Sequence, residues 1–150
     1  MSDRQTPRPR PPRPQSVEDL AKLCAAAALQ KKAQDLIVLD VGQLAGYADY
    51  FIIATGRSTR QAQAIAENVA RVCKKAGRPP MGEEGLREGR WALLDFGDVV
   101  VHVFYEPVRV FYDLESLWGD APRLEFDPQE LTAALPPEAE SSPGAIVWDD

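Results

Sequence analysis

The stretch Trp91–Trp118, WALLDFGDVVVHVFYEPVRVFYDLESLW, decides the fold. It reads as two strands and a helix. The first strand, Trp91 to Phe96, stops at Gly97-Asp98. The second, Val99 to Tyr105, is β-branched and aromatic, a composition that suits a pleated, half-buried surface. A two-residue Gly-Asp loop between such runs predicts a hairpin, with Gly97 supplying positive φ. A turn that tight sets Phe96 opposite Val99, Leu94 opposite Val101 and Ala92 opposite Val103, and opposed residues share a face. One face is then Ala92, Leu94, Phe96, Val99, Val101 and Val103, wholly apolar, and must be core. The other carries Trp91, Leu93, Asp95, Val100, His102 and Phe104. Two aromatic rings, a carboxylate and an imidazole make it either a second, less regular core face or a binding face.

Glu106-Pro107 then starts a helix of about three turns. Val110, Phe111, Leu114, Leu117 and Trp118 recur on its apolar side, with Arg109, Asp113 and Ser116 opposite. Gly119 and Pro122 end it.

Upstream, Ser16 caps a helix that runs to about Lys32 through an Ala-rich middle, with Asp19 in the capping-box position. Leu20, Leu23, Cys24, Ala27 and Ala28 form one face. Asp35–Val41 and Tyr50–Thr55 are apolar strands, the first expected to be central. Gly56-Arg57 turns into a helix capped by Ser58, with Gln61 completing a capping box. Ala62, Ile65, Val69, Val72 and Cys73 are its buried stripe, and Gly77 with Pro79-Pro80 ends it. Residues 81–90 read as a Gly- and Glu-rich loop. The order α-β-β-α-β-β-α predicts an α/β (α+β) fold, with one mixed sheet of four or five strands and helices packed on it.

The chain of 150 residues is long enough for one domain with a substantial core. No apolar run approaches the roughly 20 residues that span a bilayer, and the first residues are Pro and Arg without a signal-peptide core. The expected location is cytoplasmic, with no membrane partner. Cys24 and Cys73 fall on apolar helix faces and are expected as buried thiols of a reducing compartment. With one His and no close Cys pair, there are too few ligands for a zinc site.

The net charge of −6 is unevenly placed. Residues 1–15 hold Arg4, Arg8, Arg10 and Arg13 against Asp3 and form a Pro/Arg-rich tail expected to be disordered. That tail is either solvated or a weak contact to RNA. Residues 16–122 are expected to be the domain. Residues 123–150 form an acidic tail with signals for one short helix at Asp127-Pro128. Within it, Ala145–Trp148 (AIVW) reads as a docking element or as an apolar patch folding back on the domain. An acidic chain with a near-neutral middle is a poor candidate for direct phosphate binding, which needs clustered Lys and Arg.

Three groups invite a chemical reading. Thr55-Gly56-Arg57-Ser58 is a strand-to-helix turn of the kind whose free N–H groups hold phosphate. No Asp-x-Asp pair follows it to carry Mg²⁺, so a capped helix is the better account. Asp95 and His102 are diagonal neighbours, expected as an ion pair on a binding face rather than as part of a triad. Glu83, Glu84 and Glu88 read equally as a solvated loop and as a contact for basic protein.

GDVVVHVF at Gly97–Phe104, FYDLESLW at Phe111–Trp118 and GDAP at Gly119–Pro122 resemble the signature end of the ribosomal silencing factor family (RsfS, or Iojap). LDV at Leu39–Val41 and ADYFIIATGRSTRQAQAIAENV at Ala48–Val69 match in order, so the resemblance covers roughly residues 16–122. It implies a fold like that of nucleotidyltransferases, without their activity. It also implies a translation repressor, acting when nutrients fall, without cofactor or metal. The implied partner is the large ribosomal subunit, at a protein on the face that meets the small subunit (the fourteenth in the large-subunit series). Occupying it blocks subunit joining sterically. Family members are often dimers, so a homodimer is expected. The mixed hairpin face resembles an interface hot spot, with Trp91, Leu93 and Phe104 expected to be at least partly exposed. The expected partner site is therefore Trp91, Leu93, Asp95, Val100, His102 and Phe104, supported by Glu83, Glu84 and Tyr112. The rival reading is a nucleotide-binding or nucleotidyltransferase enzyme.

Overall fold

The structure is a computed structural model that describes residues 16–136. Its centre is the hairpin of β4 (Trp91–Asp95) and β5 (Val99–Tyr105). Ala92 pairs with Val103 and Leu94 with Val101, the expected register, and the Phe96 N–H donates to the Val99 carbonyl at 2.9 Å. Gly97 takes φ +91°, a region that a side chain would strain.

β5 runs parallel to β2 (Tyr50–Gly56), which is antiparallel to β1 (Gln34–Asp40). Two further short strands take the sheet to six, one more than the upper expectation. β3 (Gly82–Glu84) lies inside the stretch expected as loop and pairs with β4. β6 (Arg123–Leu124) pairs with Val38 and Leu39 of β1. The order is β3-β4-β5-β2-β1-β6, so β1 is flanked on its outer side by a strand of only two residues. Neither short strand has an apolar alternation to announce it; each is held by its neighbour's ladder.

Helices α1 (Val17–Gln30) and α3 (Thr59–Lys75) pack on one face of this sheet. Ser16 Oγ accepts from Asp19 N–H and caps α1 as expected. The Ala-rich face of α1 lets α3 approach closely. There Cys24 Sγ and Cys73 Sγ lie 3.6 Å apart as buried thiols, and Asn68 donates to the Ala27 carbonyl at 2.8 Å. Beneath them lie Ala92, Leu94, Phe96, Val99, Val101 and Val103, all buried, with Val38, Ile52 and Ala54 from β1 and β2. Residue 122, expected as the domain's end, is followed at once by β6. Then comes α6 (Pro128–Ala134), joined to α1 by Lys22 and Glu130 at 3.5 Å.

The opposite sheet face carries a second apolar cluster under α2 (Gly42–Ala45), α4 (Glu106–Tyr112) and α5 (Leu114–Leu117). Here the expected single helix over residues 106–118 is corrected. Asp113 adopts φ +48°, ψ +53° and breaks it into α4 and α5. Before the break α4 turns Val108 and Arg109 inward, and after it α5 starts in a new phase. Leu114 is buried, but Val110, Phe111 and Leu117 are 73%, 78% and 75% exposed. Arg109, expected on the solvent side, is buried.

Candidate functional site

The register of the hairpin places Trp91, Leu93 and Asp95 on one side with Val100, His102 and Phe104, as the alternation requires. The six do not share one environment. Phe104 is fully buried, and Val100 and His102 nearly so, which corrects the expectation that Phe104 lies partly open. The second apolar cluster closes over these three. Trp91, Leu93 and Asp95 stay partly exposed on the outer strand of the hairpin.

Ring contacts join this face into one aromatic band. Trp91 lies 4.8 Å from Phe104 and 5.0 Å from Tyr112 between ring centres, and Tyr112 lies 5.0 Å from Phe111. On the other flank His102 meets Phe51 edge-on at 5.2 Å, and Phe51 meets Trp118 at 5.1 Å and Tyr47 at 6.2 Å. The band is buried in its middle and open at its ends. Tyr112 is 54% exposed and Tyr47 66%. Sequence reasoning missed Phe111, Val110, Leu117 and Tyr47 as surface residues. The first three lie on either side of the break at Asp113, which carries no signal stronger than the helical pattern around it.

The expected Asp95–His102 ion pair is absent. Asp95 Oδ1 accepts the Gly97 N–H at 2.8 Å and so tightens the hairpin turn. His102 Nδ1 accepts from Trp91 Nε1 at 3.1 Å. The neutral ring therefore carries its proton on Nε2, which is buried with no hydrogen-bond partner among the described residues. Burial lowers the His102 pKa to about 4, against 6.5 for an ordinary histidine. Between those values the unfolded chain binds a proton that the folded chain does not. His102 thus withdraws stability as pH falls from 6.5 through about 4, and withdraws none above 6.5. The melting temperature is expected to drop across this window, and His102→Gln to drop less. Superimposable pH profiles for the two proteins would show that His102 takes up its proton alike in the folded and the unfolded chain.

Glu83 and Glu84 are exposed on β3. Glu84 pairs with Leu93 and shares the face of Trp91; Glu83 pairs with Leu94 and points to the other side. Only Glu84 can therefore border the aromatic band. Glu106 and Asp113, both exposed, flank Phe111 and Tyr112 in sequence.

The turn at residues 55–58 has little left to offer an anion. Gln61 Oε1 accepts the Arg57 N–H at 2.7 Å, and Ser58 Oγ accepts the Gln61 N–H at 3.0 Å. The expected capping box is thus half formed, its return bond going to Arg57 instead of Ser58. A Cβ at Gly56 would stand 2.7 Å from the Ala62 nitrogen, so the glycine serves close packing of strand on helix. The Thr55 hydroxyl accepts from Arg109. Among the described residues no group of three His, Cys, Asp or Glu side chains is placed to hold a metal, and no helix is long and apolar enough to cross a membrane.

The comparisons with known proteins agree with this architecture. The family model described as "Ribosomal silencing factor during starvation" matches residues 14–145. The chain is 44% identical over 110 residues to the ribosomal silencing factor of Bacillus subtilis, covering 73% of this chain and 93% of that protein. It is 39% identical over 115 residues to the chloroplastic protein Iojap of Arabidopsis thaliana, spanning 48% of its length. A crystal structure from Chromobacterium violaceum superposes with a TM-score of 0.68 at 40% identity, over 74% of this chain and 92% of the other. One from Bacillus halodurans gives 0.66 at 38%, over 73% and 99%. With the mixed sheet, the hairpin register and a family match over most of its length, the chain belongs to the ribosomal silencing factors, a family of ribosome-associated regulators and not of enzymes.

Proposed function

We propose that the protein binds the large ribosomal subunit at a protein on its intersubunit face and keeps the small subunit from joining, repressing translation when nutrients are limiting. The observation that carries this reading is the open end of the aromatic band, where Trp91, Tyr112 and Phe111 are in ring contact beside Asp95 and Glu84. Exposed aromatics held in place by a sheet and a helix packed on it lose little entropy on binding, and such residues dominate interface energies. The neighbouring carboxylates suit a basic protein surface. The block is steric and needs no bond made or broken.

The same exposed rings offer area to a second copy, so a homodimer belongs to the proposal and competes with the ribosome for that surface. Contact with RNA through the N-terminal tail falls outside the described residues. Sedimentation of the protein with separated subunits tests the main reading. It is expected to travel with 50S and not with 30S, and to lower the yield of 70S when subunits are mixed. Unchanged 70S formation at saturating protein would overturn it. Light scattering across a dilution series tests the dimer, and a monomer mass throughout would remove it.

A further inference from the structure

On the side of the molecule away from the band, a groove of about 680 Å³ runs between α1, the β1 edge, β6 and α6. Leu29, Leu36, Leu124, Phe126, Leu131 and Leu135 line it. Leu29 is 41% exposed, and the other five are only partly covered. The edge beside them is also incomplete. β6 pairs with Val38 and Leu39 alone, so among the described residues the Gln34–Ile37 part of β1 has no strand on its outer side. An open edge next to an apolar trough is the combination that takes up an extended segment by strand addition.

We propose that the occupant is this chain's own C-terminal segment Ala145–Trp148. The described chain ends at Pro136, immediately after Leu135 in the groove wall. The next eight residues, PEAESSPG, are polar or turn-forming and can span up to about 28 Å when extended. AIVW follows, the one apolar run of the tail, with high strand propensity and a Trp to fill a trough. A segment tethered that closely meets the groove at an effective concentration in the millimolar range, ahead of any partner in solution. Charge does not select the occupant: Arg123 lines the groove and Lys31 and Lys32 are exposed just before Ala33 in its wall, but Asp35 and Glu125 line it too, so the tether and the apolar run carry the choice. Docked there, the segment closes the sheet edge and covers the groove.

Hydrogen exchange on the full chain, read by mass spectrometry, tests this. The amides of residues 145–148 are expected to exchange at least about tenfold more slowly than an unstructured chain, equally at low and high protein concentration. Two variants should abolish that protection: Trp148→Asp, which leaves the groove intact, and Leu29→Asp, at an exposed position whose change leaves the α3 amides protected. Trp148→Asp should also raise binding of an apolar dye. Unstructured exchange rates in the parent protein would overturn the proposal. So would protection that survives Leu29→Asp, and so would protection lost on dilution, which would assign the groove to a second copy.

Discussion

Trp91→Ala is expected to weaken binding to the large ribosomal subunit by roughly 30-fold, about 2 kcal/mol, and to cost the fold about 2–3 kcal/mol as well. The two effects have separate causes. The indole is partly buried, tilted against Phe104 and Tyr112, and among the described residues its N–H is the only hydrogen-bond partner of the His102 ring. Truncation opens a shallow gap and leaves His102 without a bond at either nitrogen. The folding cost stays below that of a fully enclosed Trp because water can enter the gap. The loss of binding comes from the exposed edge of the same ring. Phe111→Ala isolates that second effect. Phe111 is 78% exposed, so its truncation should leave melting unchanged while weakening binding by a comparable factor. Asp95→Ala should act in the same direction on a basic partner, with an effect that shrinks in high salt. Melting and 50S binding measured on all three variants decide the matter. A folded Phe111→Ala and a folded Trp91→Ala that both bind like the parent would remove this surface from the account.

How much of this was legible in the sequence depended on whether a local rule was left to act alone. The hairpin was, because Gly97 and the alternation around it admit one register, and the structure has that register. The caps at Ser16 and Ser58 were, because the bond that each makes spans three residues. The helix after the hairpin was not. Its pattern of Val110, Phe111, Leu114, Leu117 and Trp118 is a good helical stripe, and a long-range demand overrides it. The guanidinium of Arg109 reaches acceptors on β1 and β2, far away in sequence, and α4 turns to satisfy it. The aromatic stripe is thereby divided, with Leu114 and Trp118 inward and Phe111 outward. The candidate site followed the same logic. Alternation alone put the correct six residues on one face. Which of them are covered depended on where α4 and α5 lie, and that is set by Arg109.

Arg109 is accordingly where a single substitution should do most damage to the fold. Its Nη1 donates to Thr55 Oγ1 at 2.6 Å and to the Asp35 carbonyl at 2.7 Å. Nε and Nη2 both donate to Glu115 Oε2, at 3.1 and 2.9 Å. One planar group thus ties α4 and α5 to β1 and β2. The Asp35 carbonyl lies at a bulge in β1, on a residue with φ +48°, so the strand itself is shaped around this contact. Arg109→Met keeps most of the stem and removes every bond. It leaves the buried Thr55 hydroxyl, the part-buried Glu115 carboxylate and the Asp35 carbonyl without this partner, at a cost of about 3–5 kcal/mol. Arg109→Lys should recover only part of it, because one ammonium cannot match a fork that spans three acceptors. Adding Glu115→Gln to Arg109→Met should restore some stability by removing the uncompensated charge. Since α4 carries Phe111 and Tyr112, the same substitution should also loosen the surface proposed to meet the ribosome. Thermal melting is the measurement, with a fall of more than about 10 °C expected for Arg109→Met in a chain of this size. A melting temperature within a degree or two of the parent would show that the network is solvated enough to be dispensable, and that some other contact sets the position of α4.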